Sequence, residues 1–119
     1  MTFTQSLQQL KKVAAQKCSP CRKGDPVLDK EVVKHMLSCL PGWQLNETKK
    51  EISKQFSFSD FKQTMVFINS VAAIAEDSDH HPDVSFGYSM CEVCYTTHAI
   101  DGLSQNDFIC AAKIDLIDP

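Results

Sequence analysis

The stretch from residue 60 to about residue 76 places the strongest constraint on how this chain can fold. Its sequence, DFKQTMVFINSVAAIAE, predicts a helix whose apolar side chains form two neighbouring stripes rather than one. The first stripe contains Phe61, Met65, Ile68, Ala72 and Ala75, and the second contains Phe67, Val71 and Ile74. An apolar face this broad predicts that the helix is buried under a sheet. Ser59 or Asp60 is expected to cap its first turn.

Strand patterns lie on both sides of this helix. Residues 42–60 predict a hairpin in which Ile52, Phe56 and Phe58 share one face, and Lys54 interrupts the alternation. The stretch DVSFGYSMCEVCYTTH, residues 83–98, predicts two more strands, the second of which ends at His98.

Shorter helices complete the pattern. Asp29 is expected to cap one helix, which Pro41 and Gly42 stop, and Ser104 and Asp107 have the capping-box spacing that begins the last one. The order α-β-β-α-β-β-α predicts an α+β fold, a four-stranded antiparallel sheet with helices packed on one face. We expect this domain over residues 29–119, after an N-terminal extension over residues 1–28 that holds a short helix and a Cys-x-x-Cys loop.

The six cysteines include two Cys-x-x-Cys pairs, Cys18–Cys21 and Cys91–Cys94. Positions three apart on a strand point to opposite faces, so Cys91 and Cys94 are not expected to bind one metal ion. Cys18 and Cys21 lie on a loop, where metal binding or redox chemistry is an alternative to a packing role for the thiols. We expect reduced thiols, because no export signal precedes them.

Composition excludes several classes of function. The chain has 119 residues and a net charge of −3, so no overall basic field attracts nucleic acid or a membrane surface. Its longest apolar run is too short to span a bilayer. These features indicate a soluble, cytoplasmic protein of one domain.

The chemistry-bearing residues concentrate in EDSDHHPD, residues 76–83, which holds two of the four histidines. His80 and His81 follow the predicted end of the long helix, where the helix dipole and the nearby carboxylates favour the imidazolium form. Such a group is suited to general-acid catalysis. His98 approaches them if its strand end lies beside the helix end. The alternatives are a His-His-Pro turn that only closes the helix and, less favoured, a zinc site.

The spacing of these residues resembles the signature of the pterin-4a-carbinolamine dehydratases. Three residues separate Glu76 from His80-His81-Pro82, and gaps of five, nine and eight residues then lead to Tyr88, His98 and Asp107. Gly42-Trp43, FSFSDF, THAIDGLSQNDF and AAKID are also similar to the family, over roughly residues 28–117. One position departs from the animal members, which carry tryptophan where this chain has Val84.

The resemblance implies a hydro-lyase that converts 4a-hydroxytetrahydropterin to quinonoid dihydropterin and so recycles the pterin cofactor of aromatic amino-acid hydroxylases. It implies that His80 and His98 act as the acid/base pair and that His81 binds or orients the pterin. Supporting substrate contacts are then expected from Glu76, Tyr88 and Asp107. No cofactor or metal is implied, and a homodimer or homotetramer is expected.

Two other functions fit the same resemblance. Animal members also act as dimerisation cofactors for a homeodomain transcription factor, which would make this chain a binding module without catalysis. The acidic balance of the chain gives no indication of direct DNA contact. The other alternative is a family member that serves a different pterin pathway.

Overall fold

The computed structural model describes residues 3–117, and side chains from residue 7 onward. Its helices are α1 (Phe3–Ala14), α2 (Lys30–Ser38), α3 (Phe61–Ser78) and α4 (Gln105–Asp115). Its strands are β1 (Gln44–Leu45), β2 (Ile52–Ser57), β3 (Asp83–Phe86) and β4 (Met90–Tyr95), and a 3₁₀ turn covers His98–Ile100. No helix within residues 3–117 is both long and apolar enough to cross a bilayer.

The strands form one antiparallel sheet in the order β1-β2-β4-β3, which confirms the predicted α+β fold. Alternation along β4 decides which face is covered: Cys91, Val93 and Tyr95 are fully buried, while Glu92 is exposed and Cys94 partly exposed. One hydrophobic core joins the buried face of β2 and β4 to residues of all four helices. The two cysteines of the second Cys-x-x-Cys pair therefore point to opposite faces, as predicted.

Helix α3 begins and ends where its sequence provides a cap. The carboxylate of Asp60 accepts a hydrogen bond from the amide of Gln63 at 2.8 Å. At the other end Asp79 takes the left-handed conformation, with φ 52°, and turns the chain out of the helix. The buried face is narrower than the predicted pair of stripes, because the sheet covers only one side of α3, and Phe61 is exposed. The turn at Asp79 is what positions the two adjacent histidines.

Lys54 lies on the buried side of β2 because its ammonium group has partners there. Nζ donates to the carboxylate of Asp115 at 3.0 Å and to the carbonyl of Pro41 at 2.9 Å. The indole Nε1 of Trp43 donates to the same oxygen of Asp115 at 3.1 Å. The interruption of the strand pattern is therefore a charge pair between β2 and α4.

The N-terminal segment is packed against the rest of the chain. Leu10 and Val13 of α1 are buried in the same core as the sheet residues. All six cysteines are free thiols. The boundary between the extension and the domain near residue 28 stays a prediction. The outer ends of these two predicted segments, residues 1, 2, 118 and 119, lie outside the described residues.

Candidate active site

His80 and Asp107 are the central pair of the site. Nε2 of His80 lies 2.6 Å from Oδ1 of Asp107, a distance at the short end for a nitrogen–oxygen hydrogen bond. The Asp107 side chain is fully buried and that of His80 is 12% exposed. Asp107 is thereby able to fix the orientation of the imidazole, as a buried carboxylate does in other acid/base sites.

Asp107 holds this position because its second oxygen is also bound. Oδ2 accepts hydrogen bonds from the hydroxyl of Thr97 at 2.8 Å and from the amide of Ser104 at 2.9 Å. The Ser104 contact is the capping-box interaction that begins α4. The same carboxylate therefore caps α4 and contacts His80. Asp107 is thus both the capping-box acid and a residue that supports the candidate site.

The ring of His80 stacks on that of Tyr95, with centroids 5.4 Å apart and planes 12° from parallel. Tyr95 is fully buried at the end of β4, and burial strongly raises the pKa of its phenol. Among the described residues its buried hydroxyl has no well-formed hydrogen bond, although the thiol of Cys110 lies beside it. Tyr95 was not predicted as a site residue, because nothing in the sequence distinguishes a buried aromatic residue of a site from one that only packs in the hydrophobic core.

His81 points to a different partner. Its Nε2 lies 3.3 Å from Oε1 of Glu76, one turn back on α3, and both side chains are mainly exposed. Their interaction is weak because water competes for both groups. His80 and His81 are adjacent in sequence, but only His80 is held by a buried acid.

His98 is not on a strand, contrary to the prediction. Strand β4 ends at Tyr95, and an isolated bridge between Thr97 and Gly102 closes a small loop that contains the 3₁₀ turn. His98 begins this turn and is exposed. The turn nevertheless brings His98 to the same cleft as the other two histidines.

The cleft has a volume of about 440 Å³, within the range of ligand sites. It is lined by residues that come from four separate parts of the chain, among them His80, His81, His98, Asn106, Cys18 and Cys21. Within the described part of the chain, no three or more His, Cys, Asp or Glu side chains are arranged to hold a metal ion. The cleft thus combines three imidazoles, one of them oriented by a buried carboxylate.

The Cys-x-x-Cys loop is part of the cleft, which its sequence did not reveal. Cys18, Ser19, Pro20 and Cys21 all line the cavity. The sequence placed the loop in an N-terminal extension that resembles the extension of some bacterial and plant-type members, before the signature over roughly residues 28–117. No local pattern pointed to the site, because the contacts that bring the loop there are made by α4, more than 80 residues away.

Three predicted site residues, Glu76, Asp107 and Tyr88, do not line the cleft. Glu76 and Asp107 each contact a histidine that does, whereas Tyr88 lies elsewhere. It lies in the turn between β3 and β4 and is 68% exposed. Its carbonyl accepts a hydrogen bond from Thr64 in the first turn of α3, whereas His80 follows the last turn of that helix. The length of α3 therefore separates Tyr88 from the histidines.

Val84 is the position at which this sequence departs from the animal members. Its side chain packs against the core from β3.

Comparisons with known proteins identify the family of the chain. The family model described as "Pterin 4 alpha carbinolamine dehydratase" matches residues 26–117. A Nitrosomonas eutropha protein named "Putative pterin-4-alpha-carbinolamine dehydratase" is 52% identical over 106 residues, covering 88% of this chain and 92% of the relative. That alignment reaches back into the segment that precedes the family region.

Two solved structures share the fold. A transcriptional coactivator/pterin dehydratase from Brucella melitensis has a TM-score of 0.73 and 30% identity, covering 76% of this chain and 96% of its own. A pterin dehydratase-like protein described as a RuBisCO assembly factor in the alpha-carboxysome has a TM-score of 0.55 and 24% identity, covering 62% and 86%. The latter likeness concerns the fold alone.

Fold and cleft together define a small α+β protein of the pterin dehydratase class, with histidines gathered beside the end of α3. The chain belongs to the pterin-4a-carbinolamine dehydratase family.

Proposed function

We propose that this protein is a hydro-lyase that dehydrates 4a-hydroxytetrahydropterin to quinonoid dihydropterin. The observation that carries the proposal is the buried Asp107 carboxylate on His80, at a cleft that His81 and His98 also line. Family membership supplies the substrate class. No metal or cofactor enters the proposed reaction.

The reaction needs one proton delivered and one removed. The C4a–O bond breaks and the hydroxyl leaves as water once it has been protonated. The electron pair of N5 forms the N5=C4a double bond, and the N5 proton is lost. A positioned acid or base typically contributes about 10²–10⁴-fold to such a step.

In this proposal His80 is the acid. Its Nε2–H donates to Asp107, which leaves Nδ1 to exchange a proton with the substrate. The charge of Asp107 stabilises the imidazolium that carries the proton to the leaving hydroxyl. His98, exposed on the 3₁₀ turn, is the base that takes the N5 proton.

His81 and Glu76 have a binding role. Both side chains are mainly exposed; His81 lines the cleft, and Glu76 contacts the His81 ring from α3. Their polar atoms suit the hydrogen-bonding edge of a pterin. Neither is held by a buried partner, so we assign them to substrate binding rather than proton transfer.

The physiological role follows from the reaction. We propose that the protein acts in the cytoplasm to recycle the pterin of aromatic amino-acid hydroxylases, and that it forms a homodimer or homotetramer. Exposed apolar side chains on α3 and at the β3 end of the sheet support self-association. Phe61 and Phe86 belong to this surface, and their ring centroids lie 6.4 Å apart.

The test is whether the purified protein accelerates the breakdown of 4a-carbinolamine generated in the cuvette, followed by absorbance and corrected for the spontaneous rate. We expect a clear acceleration that a chelator does not reduce. A rate equal to the spontaneous one would overturn the proposal and favour the binding-module alternative, which the name of the Brucella protein also includes. Stoichiometric zinc on His80, His81 and His98, with activity lost on its removal, would overturn the acid/base mechanism.

A further inference from the structure

The side chain of Asn106 holds the Cys-x-x-Cys loop, residues 18–21, against the cleft. The amide of Ser19 donates to Oδ1 of Asn106 at 2.9 Å, and Nδ2 of Asn106 donates to the carbonyl of Ser19 at 2.6 Å. Nδ2 also lies 3.6 Å from the sulfur of Cys21. Asn106 thus binds both peptide groups of one loop residue, in the manner of a neighbouring strand.

A second contact fixes the other end of the loop. The sulfur of Cys18 lies 3.6 Å from that of Cys110, one turn further along α4, and 3.9 Å from the carbonyl of Asn106. Asn106 is only 7% exposed, and Cys110 is fully buried. The loop is therefore anchored to α4 at two places, and all four of its residues line the cleft.

Asn106 precedes Asp107, and the two residues hold opposite parts of the same cavity. Asp107 binds His80, which follows α3, and Asn106 binds Ser19 of the loop. The first turn of α4 therefore sets the distance between the proposed acid and the loop.

The chemistry of the loop surface indicates what it contacts. Because Asn106 occupies the amide and carbonyl of Ser19, the loop does not offer those groups to a ligand. Besides the Ser19 hydroxyl, the loop brings to the cleft the ring of Pro20 and the sulfur of Cys21, whose thiol donates to the Ser19 carbonyl; both groups are apolar or weakly polar. Such a surface suits the flat face of a bicyclic ring rather than its hydrogen-bonding edge.

We propose that residues 18–21 form a substrate-contacting wall of the site, packing on the pterin ring, and that Asn106 is a positioning residue that holds this wall in place. The inference rests on the proposed function for the identity of the ring. It adds a binding element that lies outside the region matched by the family model.

The test compares Asn106→Ala with Gln105→Ala, an exposed amide residue on the same helical turn. Asn106→Asp is the second variant. It keeps the size and an acceptor for the Ser19 amide, but it places a carboxylate oxygen against the Ser19 carbonyl, and an acidic residue in the first turn of a helix is tolerated. For each full-length protein, three quantities are measured: hydrogen exchange at the Ser19 and Cys21 amides, the Kd for 7,8-dihydrobiopterin, and kcat and KM for dehydration.

We expect both Asn106 variants to exchange the loop amides faster, to bind 7,8-dihydrobiopterin about fivefold more weakly or worse, and to raise KM with kcat changed less than about twofold. Gln105→Ala should match the wild type in all three. Faster exchange with unchanged Kd and KM would show that the loop is not a wall of the site and would overturn the inference. Equal exchange in wild type and variants would overturn the positioning role of Asn106.

Failure of the proposed function gives a different result. In that case the wild type dehydrates no faster than the spontaneous rate, whatever the variants do. If it still binds 7,8-dihydrobiopterin and the Asn106 variants weaken that binding, the wall is supported while the reaction is not. A wild type that neither binds nor dehydrates would overturn both.

Discussion

Asp107 joins two helices through His80: one carboxylate oxygen caps the start of α4, and the other lies 2.6 Å from the imidazole that follows α3. Three donors share this one side chain, from His80, Thr97 and Ser104. A carboxylate that accepts hydrogen bonds from these three donors uses both of its oxygens. This requirement leads directly to a test of the proposed mechanism.

Asp107→Asn should lower kcat by about 10²-fold or more with a smaller effect on KM. An amide has one acceptor, and if that acceptor stays with Thr97 and Ser104, the NH₂ group faces His80. Nε2 must then lose its hydrogen, so the imidazole takes the other tautomer. The ¹⁵N chemical shifts of His80 measure this change directly.

Thr97→Val is the control for this variant, because it removes one hydrogen bond to Asp107 without touching the His80 contact. Its kcat should fall by less than about tenfold, the equivalent of one hydrogen bond. An Asp107→Asn enzyme with wild-type kcat and an unchanged His80 tautomer would rule out the orienting role.

The histidine variants should differ in kind. His80→Ala and His98→Ala remove proton transfer, so kcat should fall by about 10²–10⁴-fold while KM changes little. His81→Ala removes mainly ground-state binding, so KM should rise more than kcat falls. The double variant His80→Ala/His98→Ala should approach the spontaneous rate, which is measured without enzyme and subtracted.

His35→Ala is the matched control, since His35 is exposed on α2 and lies outside the cleft. Near-normal kinetics are expected for it. If the double variant kept wild-type kcat, neither imidazole would be the acid, and the site would have to be sought elsewhere.

The pair between Lys54 and Asp115 should make stability depend on pH. Burial raises the pKa of Asp115, and the nearby Lys54 ammonium lowers it in part. A carboxylate whose folded pKa exceeds its unfolded value favours the folded state at low pH, and this contribution is lost as pH rises through the folded pKa. Lys54→Met removes the compensating positive charge, so it should lower the free energy of unfolding more at pH 7 than at pH 4.

We expect Lys54→Met to lower the free energy of unfolding by about 1–3 kcal/mol at pH 7, as for a buried polar group that loses its partner. Urea unfolding at pH 4 and pH 7 measures the difference. Lys50→Met is the control, because Lys50 and Asp101 form an exposed pair, worth about 0–1 kcal/mol. Equal losses for Lys54→Met at both pH values would contradict the assignment to Asp115.

The thiols should react with alkylating agents in a fixed order. Burial raises the pKa of Cys110 and of Cys94 to about 12, and it also raises that of Cys91. Only the thiolate reacts, so these three cysteines should be alkylated slowly in the folded protein. Cys21, partly exposed in the cleft, should react first, and 7,8-dihydrobiopterin should slow it.

Iodoacetamide at pH 8 with peptide mass spectrometry measures each site, and the same treatment in urea provides the reference in which all six cysteines react. Alkylation of Cys110 as fast as Cys21 in the folded protein would show that the interior opens readily. It would also contradict the tight packing of α4 on the core.

Local patterns were sufficient for most of the fold. The cap at Asp60, the alternation along β4 and the capping box at Ser104 each depend on residues within a few positions, and periodicity captures them. Lys54 was an exception in the sequence because its partner, Asp115, lies 61 residues away. No residue near Lys54 in the sequence indicates that its ammonium group pairs with a buried carboxylate.

The candidate site was predictable where a family signature covers it and not where tertiary contacts build it. The signature led to His80, His81 and Asp107, which the structure brings together at one place. It also included Tyr88, which α3 holds at its opposite end. The loop at residues 18–21 was missed, because its contacts with Asn106 and Cys110 of α4 place it in the cleft.

The position of α4 near the end of the described chain sets the order in which the cleft is assembled during protein synthesis. The three histidines and the cysteine loop are all synthesised before Asn106, which binds the loop, and Asp107, which binds His80. A nascent chain, or a product that stops before α4, thus carries every imidazole but neither anchor. A premature stop between residues 99 and 104 removes Asn106 and Asp107 but keeps all four histidines.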